Sequence, residues 1–396
     1  MKIVLITPVT PTKDNINGPT AHPYHILMGR DPSIDVIIYS YNSNELSAEG
    51  IKEVEQALNV KVKLMQEPRW IKWIIRLHLL FVRIFLKYPI GYYKKLPRWV
   101  FDEITQLEPD GIWVYGQEMN RCIRGLNQFK VVNMLPDCES LYYYRMMGQR
   151  FVFNSKLNFI RQSIMYRKYL AMERNYLTEN VRYSLVGKAD ARSLENVHPG
   201  IDANFVHHPH YDVYEPKKSI KFCTPRVKVV IAGRNDLYMN QSANEFADAL
   251  CNVNDIAEKF EFTYLGKGWE QTAEKLKAHG YHVNHIRFAD DYKKELCNHD
   301  MQLTPICIGT GTKGKVLDAL ANGLLVIGTE YAMENIEVKN GESCIIYTKS
   351  DDAIAALRDI AANSQKYEEV AENGRKAILL HHGRERVAQE FFDLFK

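Results

Sequence analysis

Short apolar runs that end at a glycine turn limit most strongly how this chain can fold. Val227-Lys-Val-Val-Ile-Ala stops at Gly233, and Glu261-Phe-Thr-Tyr-Leu stops at Gly266. Leu324 to Ile327 is apolar throughout and follows Gly323. Runs of this kind suit strands covered on both faces, as in parallel sheets flanked by helices. Amphipathic stretches of helical period separate them, such as Val316, Leu317 and Leu320. Strand, turn and helix recur in both halves, which predicts an α/β chain of two doubly wound, Rossmann-like domains facing across a cleft. The stretch 308–327 holds the whole pattern. Gly309, Gly311 and Gly314 let backbone approach a ligand, and Thr310 or Thr312 can cap the helix that Gly323 ends. Lys313 and Lys315 beside a helix N-terminus suit phosphate, although the same residues also suit an ordinary capped helix with surface lysines.

At 396 residues the chain exceeds one ordinary core, so two domains are expected. Residues 1–213 form the first, with a linker at 214–225 where two prolines and three lysines break the pattern. Residues 226–380 form the second, and a C-terminal helix over 381–396 is free to cross back to the first. The net charge of +3 gives no reason to expect nucleic acid as a partner. Seven cysteines without a CxxC pair argue against a disulfide framework or zinc site. The apolar run at the N-terminus is too short for a signal peptide, so a cytoplasmic protein is expected.

In the first half, Ile3 to Ile6 reads as the opening strand, followed by a polar loop ending at Asn17-Gly18-Pro19 and a helix bearing His22 and His25. No GxGxxG follows that strand, so a dinucleotide fingerprint is absent. The run 129–135 delivers Asp137 to a strand's carboxyl end, where site residues of such sheets gather; Asp137 equally suits a helix N-cap. His207, His208 and His210 resemble a metal cluster, but adjacent histidines on a strand point to opposite faces, and no metal site is expected.

Residues 68–98 carry eight cations and no acid. Arg69, Lys72, Arg76, Arg83 and Lys87 fall on one helical stripe about 60° wide, amid tryptophan, phenylalanine, leucine and isoleucine. So many cations exclude a membrane span, but they fit a helix lying in the interface of an anionic bilayer or touching a lipid acceptor. A core helix with one solvated edge, or a partner interface, accounts for the same pattern.

The second half also resembles a known family. Ile231-Ala-Gly-Arg234, Tyr264-Leu-Gly-Lys-Gly268, the stretch from Pro305 through Gly311 to Thr329, and Glu334-Asn-Ile336 come in the order and spacing of GT-B glycosyltransferases. They look most like the retaining family 4, or group 1, enzymes. The resemblance is strong over 226–345 and looser over 1–212. It implies transfer of a sugar from a nucleotide diphosphate, UDP- or GDP-linked, to a glycan or lipid-linked acceptor. It further implies retention of configuration and neither metal nor cofactor; together with the basic, apolar segment 68–98 the leading reading is a role in cell-surface polysaccharide synthesis with peripheral membrane contact. Gly18, Arg234, Gly266, Gly311, Thr312, Lys313, Lys315, Asp318 and Glu334 would then face the nucleotide sugar. Thr310 would stand nearest the chemistry; an inverting enzyme would instead need a base, for which His22, His25 and Asp137 are the candidates.

The chain departs from that pattern in two places. The Glu-x7-Glu pair falls on Thr310 and Asp318, so the first acid is missing and the second is shorter. Arg234 matches an arginine–lysine diphosphate pair, but residues 240–251 contain no lysine, leaving Lys313 or Lys315 to supply the charge. An epimerase on the same scaffold and a nucleotide-sugar-binding subunit without turnover are the alternative readings.

Overall fold

The computed structural model describes residues 1–15, 19–149, 155–213, 221–222 and 224–396. Gly18 and most of the expected linker at 214–225 lie outside the described residues. The chain divides into two compact units, Met1–Pro209 with Arg384–Lys396, and His210–Gly383.

The first unit is built on seven strands: β1 (Lys2–Thr7), β2 (Asp35–Ser40), β3 (Lys61–Leu64), β4 (Gly111–Tyr115), β5 (Val131–Leu135), β6 (Val181–Leu185) and β7 (Asp202–Phe205). Their order is β3-β2-β1-β4-β5-β6-β7, and all pair in parallel. β4 and β5 are buried at every residue, as uninterrupted apolar runs require. The terminal helix Arg384–Phe392 covers one face, with Phe391 buried 4.6 Å from Trp113 between ring centroids. Gly111 is required there, because a Cβ would run into the Phe395 ring.

The second unit has six strands: β8 (Val227–Ala232), β9 (Phe260–Leu265), β10 (His282–Ile286), β11 (Met301–Thr304), β12 (Leu325–Gly328) and β13 (Ile345–Ile346). They run parallel in the order β10-β9-β8-β11-β12-β13. In both units the strand order reverses beside the first strand, at β1/β4 and at β8/β11. Ligands of open α/β sheets bind at the carboxyl ends of such strands.

Two local expectations change. Residues 68–88 do not form one helix but two, Arg69–Arg76 and Leu80–Phe85. The break is at His78, whose φ of +50° is left-handed, and it is closed by the Leu79 N–H donating to the Ile74 carbonyl at 3.1 Å. The single 60° stripe of cations therefore does not exist as one helical face. Neither Thr310 nor Thr312 caps the helix Gly314–Ala321. Lys313 holds the N-cap position without a side-chain cap bond, because the turn at Gly311 (φ +61°) delays the helix start. Gly323 (φ +86°) does end this helix, with the Leu324 N–H bonded to the Ala319 carbonyl at 3.0 Å.

Candidate functional site

At the reversal point of the second unit, three loops meet backbone to backbone. Gly266 after β9 (φ +146°) abuts the Gly233 carbonyl after β8 so closely that any Cβ would overlap it. Gly233 donates to the Leu265 carbonyl at 2.8 Å, Asn235 N–H to Lys267 at 2.9 Å, and the Asn235 amide to Gly268 at 2.8 Å. The buried Trp269 indole donates to the Gly233 carbonyl at 2.7 Å. These bonds fix where Arg234 leaves the sheet. Its guanidinium is exposed and makes no hydrogen bond to a described residue.

The third loop, 305–313, follows β11. Lys313 is turned onto its own loop, donating to the carbonyls of Thr310 and Gly311, both at 2.9 Å. Asn335, in a left-handed conformation at φ +67°, donates to the same Gly311 carbonyl at 3.2 Å and ties the segment after Glu334 to the turn. Lys315 points the other way. A Cβ on Gly233 would overlap its ammonium, so glycine at 233 makes room for this lysine. Desolvation holds that ammonium below the usual lysine range, Asp236 and Asp318 pull it upward, and Arg234 depresses it further. The side chain remains exposed: protein crowds the cation without closing it off, as a cation reachable by ligand requires. The N–H groups of Gly314 and Lys315 have no backbone acceptor among the described residues, and no atom lies within 4 Å of a Cβ placed on Gly314. Arg234, the Lys315 ammonium and two first-turn N–H groups without a backbone acceptor thus gather where the loops after β8 and β11 end. That arrangement can hold a dianion and neutralise charge growing on it.

Of the residues singled out in the sequence, Arg234, Gly266 and Lys315 meet here, along with Gly311 and Lys313 as loop supports. Thr310 is half-buried in the same loop, with its carbonyl engaged by Lys313. Thr312 precedes the helix, and Asp318 stands one turn after Lys315. Glu334 caps the C-terminal end of the short helix Glu330–Met333. Gly233 and Asn335 were missed. A glycine ending a strand before arginine was a signal for the first; nothing in sequence distance marks the second.

The first unit holds the others separately. His22 lies buried in the helix Ala21–Met28, stacked on His208 with ring centroids 4.7 Å apart. Burial first, then His208 and His25, hold its pKa well below the usual histidine value, so it is neutral at pH 7. His207 pairs with Glu390 at 2.9 Å. Among the described residues, no group of three or more histidine, cysteine or acidic side chains is arranged to hold a metal ion. Asp137 is half-buried in the loop after β5 and forms part of an acidic cluster that the sequence did not disclose. The helix Glu139–Met147 starts there at Cys138, whose N–H is taken by Asp190 at 2.9 Å, while the Ser140 N–H is taken by Glu173 at 3.0 Å. Burial first, then Asp137, Glu118 and Glu173, push the Glu139 carboxyl up to about 8. Burial likewise pushes Glu173 up to about 7. Glu118, which accepts from Tyr169 at 2.8 Å, lines a 190 Å³ cavity with Gly91, Lys94, Tyr115, Gly116 and Gln117, at the ends of β1 and β4.

Comparison with known proteins accords with this geometry. Residues 244–393 match the family described as glycosyl transferase-like. Anabaena HepE, solved with UDP, superposes with a TM-score of 0.63 at 12% identity, covering 99% of each chain. Sucrose-phosphate synthase from Thermosynechococcus elongatus gives 0.65 at 10% identity, covering 100% of this chain and 98% of that one. WaaG, a glycosyltransferase involved in lipopolysaccharide biosynthesis, gives 0.59 at 13% identity over 98% and 99%. No curated protein sequence matches the chain. The two parallel sheets are those of the GT-B fold that these structures share, and residues 244–393 match the glycosyl transferase-like family, in line with the group 1 resemblance of the motifs.

Proposed function

We propose that the protein moves a sugar from a UDP- or GDP-sugar to a glycan or lipid-linked acceptor in cell-surface polysaccharide synthesis. The observation that carries this reading is the Lys315 ammonium, which lies against Gly233 beside Arg234 at the end of β8. As the glycosidic bond to the donor breaks, negative charge grows on the diphosphate. Arg234, Lys315 and the N–H groups of Gly314 and Lys315 are placed to stabilise it, with no cofactor in the scheme. Lys315 takes the part of the lysine that the helix Asn240–Leu250 lacks.

Transfer with retention follows from the group 1 resemblance: the acceptor hydroxyl approaches from the side the leaving group departs, and gives its proton to a departing phosphate oxygen. No protein base is then needed, which suits a neutral, buried His22. Asp318, beside the helix start, is positioned for the donor's ribose. The acceptor belongs to the N-terminal unit, with peripheral contact to a membrane.

The test is release of nucleoside diphosphate from a panel of UDP-, GDP- and ADP-sugars, with and without a membrane lipid extract. Release stimulated by the extract supports transfer. No release together with no thermal shift by any nucleotide contradicts it, while a thermal shift without release selects the binding subunit lacking turnover.

A further inference from the structure

Residues 69–87 leave most of their large apolar side chains exposed. Ile71 is inside, yet Trp73 is 60% exposed, Phe81 60%, Ile84 56% and Phe85 86%. Soluble surfaces rarely display a contiguous apolar patch of this kind without a partner. Arg69, Lys72, Arg76, Arg83 and Lys87 are exposed among these side chains, and no acid occurs from residue 68 to 101. A second element has the same character. The helix Lys156–Glu173 exposes Leu157 at 82% and Ile160 at 54%, with Lys156, Arg161 and Arg167 also exposed, and its only acid is the last residue. The buried Lys168 of that helix joins the two, donating to the carbonyls of Arg83, at 2.7 Å, and Leu86.

We propose that residues 69–87, braced by the helix Lys156–Glu173, dock the N-terminal unit on an anionic lipid bilayer and set its 190 Å³ cavity beside the lipid surface. The charge excludes other occupants with a neutral or basic surface: five cations need anions, and the aromatic and aliphatic side chains between them need an apolar phase. A bilayer interface offers both along the whole segment. The link to the cavity is covalent and short. The turn Ile90–Tyr93 follows directly, Trp70 packs on Tyr93 at 5.9 Å between centroids, and Gly91 and Lys94 are cavity wall. An acceptor anchored in the membrane would then present its polar head to Glu118, Gln117 and Tyr115. This last step rests on the transferase reading; docking itself does not.

The experiment uses the full chain with vesicles of phosphatidylcholine alone or mixed with phosphatidylglycerol. Sedimentation and tryptophan emission are both read. Trp113 and Trp269 are fully buried, so an emission shift reports on Trp70, Trp73 and Trp99. Binding to the anionic vesicles alone, weakened by salt, is expected. Phe81→Glu with Phe85→Glu should lower it by about tenfold or more, as should Arg76→Glu with Arg83→Glu. The nucleotide-induced thermal shift should be unchanged in all of these variants, which shows that they fold and separates failure of docking from failure of the donor site. Absent vesicle binding, equal binding to neutral vesicles, or binding unaffected by both double variants overturns the proposal. So does a concentration-dependent dimer that Phe81→Glu with Phe85→Glu dissolves, which would assign the face to a second copy of the chain.

Discussion

Lys313 and Lys315 are two residues apart and do different work. Lys313 bonds to the carbonyls of its own turn, whereas Lys315 reaches the end of β8. Arg234→Ala and Lys315→Ala should each weaken nucleoside diphosphate binding about 10- to 100-fold, the worth of a charge-assisted hydrogen bond. Lys313→Ala should act mainly on loop stability; calorimetric titration of the three variants checks the order. Gly233→Ala should weaken binding, since the methyl displaces the Lys315 ammonium and the backbone at φ +128° disfavours a side chain. Glu139 and Glu173 predict a pH dependence. Folded, they hold protons up to about 8 and about 7, whereas unfolded they ionise near 4.5. The native state thus binds more protons across that window, so stability falls as pH rises through it. Glu139→Gln should flatten the fall and stabilise the protein at pH 8 by about 1–2 kcal/mol. Urea midpoints at pH 5 and pH 8 decide; an unchanged slope contradicts the assignment. The sequence displayed the glycine turns and Arg234 because such turns are local. It could not display Glu139 as perturbed, since the neighbouring acids come from the ends of β4 and β5 and from the helix Lys156–Glu173.

Elements were legible where one physical rule governs them. β4, β5 and β12 are apolar runs and are buried throughout. Gly323 ends its helix as a C-terminal glycine should. The break at His78 was not legible, because neither glycine nor proline marks it and a continuous helical period runs across it. The terminal helix Arg384–Phe392, which the sequence left free to cross back, completes the core of the first unit after the whole second unit has intervened. Its Phe391 is fully buried against Trp113. Phe391→Ala should therefore cost about 3–5 kcal/mol in the unfolding of the first unit. A differential scan should show that transition lowered, with the second unit's transition unmoved. Equal displacement of both would contradict the division.

At the scale of the whole molecule, the two parallel sheets with matching reversal points explain why widely divergent sequences superpose on this chain over nearly their full length. The architecture follows from repeating strand–turn–helix units, and the alternation of those units was plain in the sequence. The choice of sugar was not, because Thr310 and Asp318 stand where the resemblance leads one to expect two glutamates. Thr310 offers a hydroxyl and no charge at the first of those places. The central claim is that Arg234 and Lys315 together hold the diphosphate of a sugar nucleotide. Its most direct test is titration of UDP and GDP, by calorimetry, into the native protein and into Arg234→Ala with Lys315→Ala. Saturable binding of one nucleotide to the native protein, lost in the folded double variant, is the predicted result. Undiminished affinity in the double variant would contradict it.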